Sequence, residues 1–378
     1  MSYNRKQRLN DNIKAIETAF ILDREQRTPT ARERLLLERY CGFGGLKCIL
    51  NPARELADAV HWAKSDLELF APTVELHRLI HENSKNESEY KQLMDSLKQS
   101  VLTAFYTPSA ITEALADVLK EHQIIPEKVL EPSAGIGAFV DSVLDNNPKA
   151  DIMAFEKDLL TGKILCHLHP EQKVRIEGFE KIEKPFNDYF DLAISNIPFG
   201  DVAVFDPSYT AMKGMRALVT RRIHNYFFVK ALDMVRDGGL VAFITSQGVL
   251  NAKNNSAARF MMLYHADLVS AIRLPNNLFT ENANTEVGSD LIILQKNTQK
   301  ESLRGDDNLL DTVYNDENRI PTNNYFLEHP ERIIHTTAKL DTDPFGKPAM
   351  IYTHEDGVEG IAEDLRKMLH EDFKKKLN

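Results

Sequence analysis

Apolar and polar positions divide the chain into two textures. Up to about residue 100 the apolar residues recur at helical spacing: Ile13, Ile16 and Phe20 share one face, and TARERLLLERY follows a Thr-Pro-Thr start at 28–30. The spacing predicts further helices at 52–69 and 86–101, with little strand signal between them. From about 127 to 296 short strand-like runs take over: KVLEP, ADIMAFE, KVRIEG, FDLAIS, GLVAFITS, ADLVSAIRLP and SDLIILQK. Helical segments such as AFVDSVLDN, KDLLTGKILCHLH, IHNYFFVKALDMVR and SAARFMMLYH separate most of them. Alternation of this kind predicts a mostly parallel, twisted α/β sheet with helices on both faces. No helix parts the last two runs, so they are expected to pair antiparallel at one edge. Beyond them, 304–326 is rich in Asp and Asn and reads as an exposed connection. A final amphipathic helix is expected at 358–376, with Ile361, Leu365, Met368 and Leu369 on one face. The expected division is therefore a helical region over 1–100, the sheet domain over 101–300, and a polar linker with a helical extension over 301–378.

Composition narrows the setting. Hydrophobic residues at 43% and charged residues at 27% are ordinary for a globular protein, and 378 residues suffice for a large core. The formal charge of -10 argues against coating nucleic acid through bulk charge, although a local basic groove remains compatible with it. The three cysteines, Cys41, Cys48 and Cys166, have no metal-ligand spacing, so no metal is expected. Their odd number and the absence of an apolar leader or membrane-length run point to a cytoplasmic protein with no membrane partner. CGFGGLKC at 41–48 lacks the Lys-Ser/Thr ending of a phosphate loop and reads as a packed glycine turn.

Candidate chemistry begins at VLEPSAGIGAFV, residues 129–140, where Gly135 and Gly137 lie between a strand and a helix. Such a turn lets backbone approach a ligand closely. Glu156 ends the next strand, 21 residues after Gly135, where a carboxylate can accept both hydrogens of a ribose diol. Val140 stands where a dinucleotide loop commonly has its third glycine, and Glu131-Pro132 precede the turn. An acidic loop of this kind repels a pyrophosphate and suits a ligand carrying an ammonium group, as S-adenosylmethionine does.

Four stretches in order then resemble the class I methyltransferases that methylate the exocyclic amino group of adenine in DNA. AFYTP at 104–108 is similar to the segment closing over the methionine end of the cofactor, VLEPSAGIGAF to the glycine loop, and FEKD to the ribose-binding acid. SNIPFG at 195–200 stands where these enzymes have Asn-Pro-Pro-Tyr or Phe. RYCGFGGLK, IEGFEKI and the run from Ile223 to Ser246 further resemble methylase-like regions of large phage and conjugative-element proteins. The resemblance implies a Rossmann-like methyltransferase fold and a place in restriction, modification or anti-restriction.

What it implies for residues follows position by position. Asn196 and the carbonyl of Ile197 would accept the hydrogens of the adenine amine, with Pro198 shaping the turn and Phe199 stacking on the extruded base. Tyr106, Thr107, Glu131, Pro132, Ser133, Gly135, Gly137, Glu156 and Lys157 would surround the cofactor. Phe179 would sandwich its adenine, and Glu180 or a backbone carbonyl would replace the acid that many members carry at Gly178. Ile197 departs from the family's first proline. Between Pro207 and Leu232 there is no acid, and Lys213, Arg216, Arg221 and Arg222 are candidate phosphate contacts. His224, Asn225 and Tyr226, opening the next helix, either edge the base pocket or pack. DNA is the expected partner. Target recognition falls to the N-terminal helices, the basic segment, a helicase or specificity partner, or a C-terminal portion beyond this chain. The same Asn-Pro-aromatic device serves enzymes acting on protein glutamine or RNA amino groups, and a DNA-binding relative without turnover would share the fold.

Overall fold

A computed structural model describes residues 4–103, 106–212, 214–280, 286–303, 305–314, 319–343 and 346–377. Seven apolar runs form one sheet: β1 (Lys128–Glu131), β2 (Asp151–Phe155), β3 (Lys173–Arg175), β4 (Phe190–Asn196), β5 (Val235–Ser246), β6 (Ala266–Leu274) and β7 (Ser289–Lys296). The order is β3-β2-β1-β4-β5-β7-β6, with every adjacent pair parallel except those involving β7. The last two strands make the antiparallel edge pair, with β7 one place in and β6 outermost. This is the Rossmann-like class I methyltransferase architecture that the alternation and the motifs imply.

Side chains alternate between two cores, as a pleated strand requires. Val241 and Phe243 of β5 face one core, shared with α10 (Ile223–Met234) and α12 (Ser256–Tyr264). Leu240, Ala242 and Ile244 face the other, shared with α5 (Ser109–Glu121), α6 (Ala138–Asn146) and the C-terminal helix Gly357–Lys376. Ile361, Leu365 and Leu369 of that helix are fully buried, and Phe373 joins them, so it is one of the sheet's covering helices.

The N-terminal region is helical in α1 (Arg5–Glu25), α2 (Ala31–Leu37), α3 (Phe70–Glu82) and α4 (Glu87–Thr103). The helix expected at 52–69 is instead two 3-10 turns, Leu56–His61 and Lys64–Leu69, and the α-helix starts at Phe70. Local bonds compete there: the Asp58 carboxylate accepts from the amides of Arg54 (2.7 Å) and Glu55 (3.2 Å), and Trp62 Nε1 donates to Pro52 O. The glycine turn at 42–45 is packed, with buried Asn12 donating to Gly42 O (2.6 Å) and accepting from Cys41 N (2.9 Å). This helical region shares its core with Leu160, Ile164 and Leu168 of α7 (Leu159–Leu168), so it is built onto the β2 side of the sheet.

The segment expected as an exposed connection holds more structure than its polarity suggests. β8 (Thr312–Tyr314) pairs with β9 (Pro321–Asn323), and Asn323 is fully buried, donating to Leu250 O and Leu309 O at 2.9 Å each. β10 (Thr337–Thr342) and β11 (Pro348–Thr353) form a second hairpin. Among the described residues no helix is long and apolar enough to cross a membrane.

Candidate active site

Strand order reverses between β1 and β4, and in an open α/β sheet the crevice at the carboxyl ends of two such strands is where ligands enter. The loops carrying Glu131–Gly137 and Asn196–Gly200 both leave from these ends.

On the β1 side, the turn is tied to β2 through Ala134 N, which donates to Phe155 O at 2.8 Å. Gly135 has φ +57°, and a Cβ there would lie 2.9 Å from two carbons of the Tyr106 ring. Gly137, at φ +94°, is the N-cap of α6, and a Cβ would meet His169 Nε2 at 2.5 Å. Only glycine fits both positions. Glu156 Oε2 accepts from Gly135 N (2.8 Å) and Oε1 from Asp158 N (2.7 Å), which joins the two predicted cofactor elements directly. Asp158 caps α7 through Thr161 N and receives the Ser96 hydroxyl at 2.6 Å; Thr161 Oγ1 in turn lies 3.3 Å from the Tyr106 and Tyr40 hydroxyls. The N-terminal region thereby supports Tyr106 and Glu156 from behind, a role with no local signal in the sequence.

Buried carboxyls mark this side. Glu131 is 1% exposed, and burial pushes its carboxyl up to about 8. Burial, with neighbouring Asp158 adding to it, also raises Glu156 to about 8. Glu131 Oε1 accepts from Ser133 N at 3.2 Å and the Ser195 hydroxyl lies beside the carboxyl, yet Oε2 is buried without a hydrogen bond of good geometry among the described residues, as is Thr107 Oγ1. Each such atom costs about 1–3 kcal/mol if left unpaired. The set fits a ligand that brings donors, an ammonium and a ribose diol. Lys157, largely exposed, stands 3.8 Å from Glu180, so an acid does reach this end of β2 and β3. Phe179 is 1% exposed and enclosed by Phe155 and Phe227, at centroid distances of 5.9 and 5.2 Å; its ring packs in the core, without the open face that sandwiching a ligand needs.

On the β4 side, Asn196 is half-buried at the strand's last position, in register with Ile244 of β5. Ile197 is 1% exposed, and its N–H, which the family's proline lacks, donates to Ile244 O at 3.0 Å. The departure thus extends the β4–β5 ladder by one bond. Phe199 is half-buried, edge-on to Phe279 at 6.4 Å, on the rim of the second core.

The basic stretch is not an open patch. Arg216 is clamped by Asp233 at 2.6 and 3.0 Å, and Arg222 by Asp201 at 2.9 Å. Buried Lys230 meets Asp206 at 3.2 Å. Acids just outside the acid-free window neutralise these cations. Arg221 is exposed, and Lys213 lies outside the described residues. His224 is 3% exposed, with both ring nitrogens lacking partners among the described residues; burial pulls it down to about 4, so it is neutral. Asn225 is buried beside it, donating to Asn255 Oδ1 at 2.8 Å.

The family model described as N-6 DNA Methylase matches residues 88–351. The Defense against restriction protein B of Escherichia phage P1 is 29% identical over 201 residues, 52% of this chain and 8% of that protein. The Type II methyltransferase M.XamI of Xanthomonas campestris pv. amaranthicola is 25% identical over 173 residues, 42% of this chain and 33% of that protein. The chain therefore matches a third or less of the length of these two relatives. A solved methyltransferase subunit of a type I restriction-modification system from Streptococcus thermophilus is 16% identical and has a TM-score of 0.43, covering 63% of this chain and 56% of its own.

Proposed function

The chain belongs to the N-6 DNA methylase family, and on that premise we propose that it transfers a methyl group from S-adenosylmethionine to the N6 amino group of adenine in DNA. The observation that carries this reading is the meeting of two loops at the switch point. The buried Glu131 carboxyl lies on one side and Asn196-Ile197-Pro198-Phe199 on the other.

When bound, S-adenosylmethionine supplies an electrophilic methyl group on a sulfonium. Glu131 and Glu156 would hold its ammonium and ribose, with Tyr106 and Thr107 closing over it beside the Gly135–Gly137 turn, whose glycines leave room for the Tyr106 and His169 rings. The amine of adenine is a weak nucleophile because its lone pair is delocalised into the ring. Asn196 Oδ1 and the Ile197 carbonyl accept its two hydrogens, favour a more tetrahedral nitrogen and so free the lone pair for the methyl. The Ile197–Ile244 bond keeps that carbonyl on the strand's line, replacing the stiffness of a proline. Phe199 offers a stacking surface to the base once it has left the duplex, worth about 1–3 kcal/mol. A specificity or helicase partner would narrow the choice of target sites, while the transfer itself rests on this chain's own residues.

The test incubates the purified chain with labelled S-adenosylmethionine and unmethylated duplex DNA, quantifies N6-methyladenine and maps it at single-base resolution. Methylation at adenine N6 is expected. Asn196→Ala is expected to lose about 100-fold or more in rate while still binding cofactor. DNA left unmodified while a protein glutamine or an RNA amine is methylated would overturn the reading, as would cofactor binding without turnover on any of them.

A further inference from the structure

Among the described residues Phe205 is the one phenylalanine left exposed. Phe205 is 78% exposed and Val202 61%, yet the segment that carries them is tied at three points. Asp201 holds Arg222 at 2.9 Å, and Val204 N donates to Thr220 O at 2.8 Å. Asp206 is buried, accepting from Ser208 N at 2.8 Å and from the Tyr226 hydroxyl at 2.6 Å. The two apolar side chains are therefore held out from a fixed backbone.

Their position says what covers them. The segment starts directly after Gly200, so a macromolecule that offers a base to Asn196 and Phe199 lies against Phe205 as well. The Val204–Thr220 bond also ties this segment to the one that carries the exposed Arg221. An exposed aromatic ring and an exposed guanidinium on two joined segments suit a bent duplex, with the ring entering a base step and the cation meeting a phosphate.

We propose that Phe205 is the wedge that fills the space vacated by the extruded adenine, with Arg221 as its phosphate anchor, an inference resting on the reading of the chain as a DNA adenine methyltransferase. Extrusion breaks a base pair and its stacking, and an inserted ring restores stacking to the bases left behind. The effect belongs to the paired duplex. A target base that has already lost its partner needs no wedge.

The experiment uses the target adenine found by the mapping above, placed opposite thymine in one duplex and opposite an abasic site in another. Phe205→Ala is expected to slow methylation of the paired duplex by about tenfold or more, yet to stay within about threefold of wild type on the abasic duplex. Phe205→Trp should keep both rates, and thermal stability should not change, because the side chain is exposed. Equal rates of Phe205→Ala and wild type on the paired duplex would overturn the wedge, and so would a loss of the same size on both duplexes. A wild-type chain that methylates neither duplex would instead remove the reading on which the wedge rests.

Discussion

The loop after β1 and the loop after β4 leave the same sheet edge, but one is closed over buried carboxyls and the other reaches into solvent. Around Gly135 every contact is short: Tyr106 lies on the glycine, Glu156 accepts its amide, and Glu131 is held almost dry. After Asn196 the chain passes from a buried Ile197 to a half-buried Phe199 and then to Phe205, which is exposed. On the proposed function the difference follows from ligand size. A cofactor can be surrounded, so its site can be built from groups that are costly to bury, whereas a duplex must be met from outside.

The closed side is where the largest effect is expected. Gly135→Ala puts a Cβ 2.9 Å from the Tyr106 ring at φ +57°, a conformation that L side chains rarely adopt. Strain of about 1–3 kcal/mol, together with displacement of Tyr106, should weaken cofactor binding by about tenfold or more. Calorimetric titration of the variant checks this. Affinity within twofold of wild type would mean that Tyr106 and the turn are looser than the contact implies.

The same side should respond to pH. Glu131 and Glu156 are raised to about 8, so the folded chain retains protons that the unfolded chain releases above its ordinary carboxylate range. Their contribution to stability falls as pH rises from about 4.5 to about 8. A cationic cofactor favours the ionised carboxylate, so its affinity should rise over that window by up to about tenfold per pH unit for each proton released, then level off. Titrations in buffers of different ionisation enthalpy would count the protons, and Glu131→Gln should remove one of them. A pH-independent affinity would place the ammonium away from Glu131.

These two sides also differ in what could be read in advance. Gly135 and Glu156 were legible as neighbours because a strand–glycine–helix turn and the last residue of the next parallel strand are adjacent by topology alone. The sheet and its edge pair were legible because buried parallel strands are continuous apolar runs. The ion pairs of the basic stretch were not legible, since Asp201 and Asp206 precede the acid-free window and Asp233 follows it. Only the fold of α10 against the loop brings them onto Arg222, Lys230 and Arg216. The burial of Phe179 was hidden in a related way: aromatic character is visible in sequence, but enclosure by Phe155 and Phe227 comes from three separate elements. The buttress from Ser96 through Asp158 and Thr161 to Tyr106 has no local pattern at all.

The smallest expected effect lies on the open side and tests whether its stiffness is necessary. Ile197→Pro restores the family's residue but removes the N–H that donates to Ile244 O at 3.0 Å, and it shrinks a side chain that is 1% exposed. Loss of the bond and of buried volume should cost about 1–3 kcal/mol of stability, visible in denaturant unfolding. Methyl transfer should stay near the wild-type rate, because the accepting carbonyl belongs to the backbone and Pro198 still biases residue 197 towards the extended region. The β4–β5 ladder and a proline ring are then two ways of fixing one carbonyl. A folded Ile197→Pro chain without transfer would show that the ladder bond sets a geometry the ring cannot reproduce, and the two ways of fixing the carbonyl would not be equivalent.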